Sequence, residues 1–379
     1  MTNSSFWQRL EHNYPDLWQR LETLATPELL FTTFKALSDN YSPTLTVSRV
    51  QGPLVKSLLN GVSNVEVDAN LRRSGSIGIK VGTGVAPVWF SGHADICSYL
   101  TEPYGENGYL LTPFCVTRAD PGRRPAVALS EPAGHNPLKI IATGDMVTAE
   151  DGATYFDTDV TDLPLWTRVV YQSVAEWNQE TGEAHGYIDN HASCAAQIVA
   201  AQILAAYDIN ALFVLNDEEE GPVDKGNQGF SRAMARLFNR TPHAELPDLV
   251  VVSDTHQQEQ LIAAGEPDDF GAGAIFSGFS SGTRGAVTPP QLVAFNRELI
   301  DHLGQNGVKA KESRAYISRS DDISAMLYTP NVVLVGAPGT SSHFNEVPVT
   351  HPADMAELAK VLVVYALLAQ DEEWCEAYL

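Results

Sequence analysis

The residues able to do chemistry sit in short, separated pieces. His93-Ala94-Asp95, Asp189-Asn190, Asp217-Glu218-Glu219-Glu220-Gly221, Ser253-Asp254 and His343 together bring two imidazoles and seven carboxylates. Imidazole nitrogen and carboxylate oxygen are the donors that suit a zinc-like ion. Even with one acid set aside as a base and another as a support, too many remain for one tetrahedral site. Two ions about 3.5–4 Å apart, sharing a bridging carboxylate, would use them all. Each piece alone has a plainer reading. The four successive acids suit a solvated surface loop, and His93 suits a packed or exposed histidine. Asp254 suits a cap or turn, Asp189-Asn190 a helix entry, and His343 a solvated loop imidazole. The joint pattern favours metal, because the acids and histidines recur just past apolar runs.

Those runs are the elements that must position them. Ile77, Ile79 and Val81 alternate with Gly and Lys, and residues 85–90 resume an apolar run after Gly82-Thr83-Gly84. That reads as a hairpin, or as two strands of one sheet, ending at His93. Residues 211–215 precede the acidic run, 249–252 precede Asp254, and 332–335 lead through Gly336 towards His343. Helices are expected across much of 6–60 and at 192–207, where alanine is abundant. More are expected at 230–238, 290–303 and 352–369, the last with Pro352 in its first turn. Strands alternating with such helices predict a mixed α/β fold, a largely parallel sheet sandwiched by helices. In such sheets ligands bind beyond the carboxyl ends of the strands. Residues 97–183 differ: Pro and Gly are frequent, a short strand and turn is expected at 139–145, and a helix at 165–180. This segment reads as a smaller, mostly β inserted domain or lid, dividing a catalytic domain into 1–96 and 184–379.

Composition narrows the classes. The 379 residues carry 24 Lys+Arg against 47 Asp+Glu, a net charge of −23. Such a chain is not expected to bind nucleic acid or an anionic membrane surface through charge. Residues 1–21 are polar and lack the apolar centre of a leader. The longest apolar stretch, 361–369, is far short of the ~20 residues of a membrane helix. Cys97, Cys115, Cys194 and Cys375 show no CxxC spacing, so a reduced, cytoplasmic protein is expected.

With these pieces in this order, residues 65–369 resemble the co-catalytic two-metal aminopeptidases of the glutamyl and tetrahedral (TET) type, which are zinc-exopeptidase-like. His93-Ala94-Asp95 matches the family's His-x-Asp, Asp189-Asn190 its Asp-Asn, and Glu218-Glu219-Glu220-Gly221 its Glu-Glu-x-Gly. Asp254 and His343 match the later Asp and His. The resemblance implies that Asp189 bridges two divalent ions, zinc or cobalt. His93 and Asp254 would complete one site, Glu219 and His343 the other. Asp95 would accept the second ring N–H of His93, and Glu218 would be the general base. Glu220, where relatives carry a small or apolar residue, opens a rival register with Glu219 as base and Glu220 as ligand. The family's Arg-Tyr-Ile before the last His is replaced by Thr340-Ser341-Ser342, and its Gly-Gly-Thr-Asp element is met only by Arg319-Ser320-Asp321-Asp322.

The function expected is removal of N-terminal residues from short peptides by a homo-oligomeric metallopeptidase, with the insert serving as lid or oligomerisation domain. The alternatives are a two-metal amidase or deacylase on N-acyl amino acids, and a metal-free binding protein on the same fold. Gly278-Phe279-Ser280-Ser281-Gly282 fits the G-x-S-x-G pattern but lacks the helix that must follow it, so a loop is expected. Cys97 and Cys194 read as packed thiols, and His191, His256 and His351 as neighbours of the site or solvated, not ligands.

Overall fold

The protein is described from a computed structural model covering residues 4–115, 120–131, 138–222, 231–280, 287–313, 320–341, 343–344 and 346–379. At its centre four strands run parallel: Ala211–Asn216 beside Val88–His93, then Leu249–Ser253, then Val332–Gly336. Ile77–Val81 and the edge strand Val65–Asp68 add antiparallel on one side. Ala274–Ser277 adds antiparallel on the other, with Ala310–Glu312 parallel beyond it. Ile77–Val81 and Val88–His93 therefore share a sheet without forming a hairpin, because Ala211–Asn216 lies between them.

The side-chain period of two divides each central strand between two cores. Phe90, Phe213, Leu215, Val251, Val333 and Val335 pack into the larger one, which includes the helices Pro27–Ser38, Ile188–Leu204 and Pro352–Leu368. Trp89, Val214, Val250, Val252, Val332 and Leu334 face the other core, with Met234, Leu237 and Phe238 of the helix Arg232–Arg240. A sheet covered on both faces explains why these strands read as continuous apolar runs. The helix Ile188–Leu204 is buried almost throughout, since its alanines let two helices and the sheet approach together. This mixed α/β sandwich is the fold class expected.

Within residues 97–183, six antiparallel strands close a barrel: Tyr99–Gly105, Gly108–Pro113, Gly122–Leu129, Ile140–Thr148, Thr154–Asp157 and Arg168–Tyr171. Tyr99, Tyr109, Leu111, Ala128, Met146, Phe156 and Val169 fill it. The helix expected at 165–180 is absent: Arg168–Tyr171 is a fully buried strand, and Glu176–Trp177 is another short one. Val169, Val170 and Tyr171 favour the pleated, buried environment, and pairing to two neighbours closes the barrel. The short strand and turn expected at 139–145 is instead the nine-residue strand Ile140–Thr148.

A small sheet joins parts of the chain near the site. His256–Gln257 runs parallel to Pro338–Thr340, which pairs with Val349–Thr350. Among the described residues no helix is long and apolar enough to cross a membrane.

Candidate metal centre

The parallel register brings the carboxyl ends of the central strands to one edge. Asn216 pairs with His93, and Ser253 pairs with Val335, so the residues just beyond them converge. Gly336 allows this closeness, because a Cβ there would fall 1.9 Å from the carbonyl oxygen of Asp254. His93 Nε2 lies 3.0 Å from Asp189 Oδ1, 3.8 Å from Asp254 Oδ1 and 3.9 Å from Glu219 Oε2. His343 Nε2 lies 3.8 Å from both Asp189 Oδ2 and Glu220 Oε2. Asp189 thus faces one histidine with each oxygen.

All four acids of the run 217–220 are buried, so the solvated-loop reading does not hold. They divide by neighbour. Asp217 accepts the N–H groups of Leu45, at 2.7 Å, and Val47, at 3.1 Å, fixing the start of the helix Val47–Leu58. Glu218 has φ of +64°, a left-handed conformation that costs a non-glycine residue about 1–2 kcal/mol. Its N–H donates to Asp217 at 2.8 Å, and its carboxylate turns to the guanidinium of Arg236. Arg236 in turn donates to the Ser74 carbonyl. Glu219 and Glu220 are the pair that turn inward, each meeting His93 within the span of one ion's ligands.

Asp95 holds that turn in place. Its carboxylate accepts the N–H groups of Glu219 and Glu220, both at 3.2 Å, and the Thr44 hydroxyl at 2.6 Å. The expected ring contact is different in detail: His93 Nδ1 meets the backbone carbonyl of Asp95 at 3.1 Å, and the carboxylate is 3.6 Å away. With Nδ1–H donating to that carbonyl, Nε2 is left as the ligand nitrogen. Gly221 closes the turn, since a Cβ there would fall 1.9 Å from the carbonyl oxygen of Phe114, just past the barrel strand Gly108–Pro113.

The electrostatics ask for cations. Burial pushes Asp254 up to about 8, with Asp189 adding to it, and burial then Asp189 push Glu220 up to about 8 as well. Burial holds Glu219 well above the carboxylate range. Burial alone would pull His93 down, but Glu219, Asp189, Asp95 and Asp254 hold it well above its ordinary value. These carboxylates pair with the two histidines. Among the described residues Asp254 Oδ2 is buried without a hydrogen-bond partner. Among the described residues three groups, His93–Asp189–Asp254, His93–Glu219–Glu220 and Cys97–Glu220–His343, can each bring ligand atoms within 4.8 Å of one another. Such donors fit divalent ions.

The sequence reading missed three neighbours. Arg236 gave no signal, being one base of an ordinary helix. Cys97 is packed in the barrel-side core as expected, but its Sγ also lies 3.0 Å from Glu220 Oε2 and 3.8 Å from His343 Nδ1. Thr44 lies far upstream in the chain. Cys194, by contrast, donates to the His93 carbonyl at 3.1 Å and is buried in the helix. His191 is buried beside the Ala94 carbonyl, 3.1 Å away. Ser281 and Gly282 of the G-x-S-x-G pattern lie outside the described residues, as do Ser342 and Arg319 of the two divergent elements.

No family model matches the chain, and no curated protein matches it in sequence. Solved structures match it in fold. A TET aminopeptidase from a marine-sediment Thaumarchaeota archaeon superposes with a TM-score of 0.70 at 13% identity, over 92% of this chain and 99% of that one. An aminopeptidase from the archaeon Desulfurococcus kamchatkensis gives 0.69 at 14% identity, over 93% and 98%. The Pyrococcus horikoshii TET1 peptidase, which can assemble into a tetrahedron or a large octahedral shell, gives 0.66 at 14% identity, over 89% and 99%. At these identities the likeness is one of fold.

Proposed function

We propose that this protein is a two-metal aminopeptidase that removes N-terminal residues from short peptides. The observation that carries the reading is the position of Asp189, whose two carboxylate oxygens face two different histidines, each with a further acid beside it. That is the layout a bridging ligand needs. His93 and Asp254 would hold one divalent ion and Glu220 and His343 the other, zinc and cobalt being the best match to these donors. When bound, such ions supply Lewis acidity to a peptide carbonyl and make water a stronger acid.

The chain's own residues supply the proton traffic. Glu219 Oε2 lies 3.9 Å from His93 Nε2 and its buried carboxyl binds a proton readily, so it is assigned as general base and then acid. It accepts a proton from the attacking water and returns it to the leaving amine. This shifts the pair expected from the sequence by one residue: Glu218 is occupied by Arg236, and Glu220 takes the ligand role first given to Glu219. Asp95 keeps the two glutamate N–H groups fixed, so base and ligand move together. The barrel of residues 97–183 is assigned as lid or oligomerisation domain, in a cytoplasmic homo-oligomer.

The test is a panel of aminoacyl chromogenic amides and N-acyl amino acids, run after loading the purified chain with zinc or cobalt. Cleavage of free-amine substrates, and not of their N-blocked forms, is expected. Hydrolysis confined to N-acyl amino acids would reassign the site to deacylation. A chain that binds no divalent ion and hydrolyses neither set would be a binding protein on this fold.

A further inference from the structure

The contact of Cys97 with Glu220 and His343 makes the two halves of the centre chemically unlike. On one side the donors are the imidazole of His93 and the carboxylates of Asp189 and Asp254; on the other a sulfur joins an imidazole and a carboxylate. Cys97 is buried, as is Glu220, so bulk water competes poorly for this corner. Tetrahedral bonds of about 2.0–2.3 Å set neighbouring donors about 3.2–3.7 Å apart. The Cys97–Glu220 and Cys97–His343 separations, 3.0 and 3.8 Å, bracket that range. His343 presents Nδ1 to the sulfur and Nε2 to Asp189 and Glu220, so its ring can offer a nitrogen from either edge.

We propose that Cys97, as thiolate, is a ligand to the ion held by Glu220 and His343, and that this half selects a zinc-like ion while the other accepts harder ones. The proposal rests on the two-metal reading above. Sulfur is a soft donor that favours zinc and cobalt over magnesium and manganese, whereas a site of one imidazole and carboxylates makes that choice less sharply. The thiol donates its hydrogen bond to Glu220. On binding, the S–H bond breaks, its proton leaves to solvent, and the sulfur lone pair forms the bond to the ion. No oxidant or reductant takes part. The centre would then hold two different metals by design, the softer one at the thiol.

Cobalt(II) titration of the metal-free, full-length chain tests this, followed by absorbance and by metal content per chain. Expected is an intense near-ultraviolet sulfur-to-cobalt charge-transfer band that is kept in Cys115→Ser and lost in Cys97→Ser. Cys97→Ser should bind zinc at one of the two sites about 10- to 100-fold more weakly, with manganese binding at the other unchanged. Two bound cobalt ions without the band, or a band that survives Cys97→Ser, would overturn the ligand role and leave the two-metal reading standing. No bound cobalt would overturn both. Should Cys97→Ser fail to fold, maleimide labelling of the wild-type chain decides. Protection of Cys97 by zinc but not by manganese is expected, and equal labelling with and without zinc overturns the proposal.

Discussion

The two halves of the candidate centre are built differently. His93 and Asp254 stand at or just past the ends of neighbouring parallel strands, and both side chains are 1% exposed. Their separation is a consequence of sheet register, which both cores hold. The other half hangs on connections: His343, 14% exposed at its side chain, follows the short strand Pro338–Thr340, Glu220 sits in a turn, and Cys97 leads into the barrel. A site set by register is stiff, whereas one set by loops can open and exchange its contents. The difference predicts that metal loaded at His343 exchanges faster on dialysis than metal loaded at His93.

Glu219, proposed as the general base, gives the largest expected effect. Glu219→Gln should lower hydrolysis by about 10²–10⁴-fold while both ions remain bound, whereas Glu218→Gln should cost a few-fold at most. Steady-state rates with metal analysis decide this, and a reversed order would return the base to Glu218. Next come the ligands themselves. His343→Ala should release one ion readily on dialysis and keep the fold, whereas His93→Ala should lose metal from both sides, because Asp189 loses its nearest neighbour. Equal metal contents for the two variants would dissolve the contrast between the halves.

Metal removal should then expose the electrostatics. Asp254 and Glu220 are raised to about 8 by burial, so between about pH 4 and pH 8 the folded metal-free chain binds more protons than the unfolded one. Its stability should therefore be highest at the acid end of that window and fall as pH rises through 8. The metal-loaded chain, with those acids neutralised by ions, should melt at nearly the same temperature across it. Thermal melts with and without chelator at pH 6 and pH 9 check this. The smallest effect is expected outside the centre. Arg236→Met removes the partner of buried Glu218 and should cost roughly 1–3 kcal/mol in chemical denaturation, with metal content unchanged.

Much of this centre was legible because strand ends announce themselves. The runs before His93, Glu218, Asp254 and His343 are apolar on both faces, and a parallel sheet brings such ends together whatever the connections do. The turn within the acidic run was not legible. Which of three adjacent glutamates points inward depends on the left-handed backbone at Glu218 and on Arg236, a residue 18 positions away on a helix. The glycine spacing taken from the family favours Glu218 and Glu219, whereas we propose the rival pair, Glu219 and Glu220, which turn towards His93. Cys97 was passed over because thiols are usually core residues, and nothing in its neighbours signals a carboxylate 123 residues distant. The barrel misled for a related reason. Val169, Val170 and Tyr171 carry no helix or strand period in so short a run, and only pairing on both sides decides it.

Gly221 makes the barrel more than an attachment. With no side chain there, the glutamate turn rests directly on the backbone of Phe114, while Cys97 stands two residues before the first barrel strand, Tyr99–Gly105. The centre is therefore gripped at two points by the same small body, like a workpiece in a vice. A load that tilts the barrel, from a neighbouring subunit or a long substrate, would pull on Glu220 and Cys97 without passing through any flexible side chain. Even an alanine at 221 would wedge that grip apart, and its cost should register in metal retention before it registers in melting temperature.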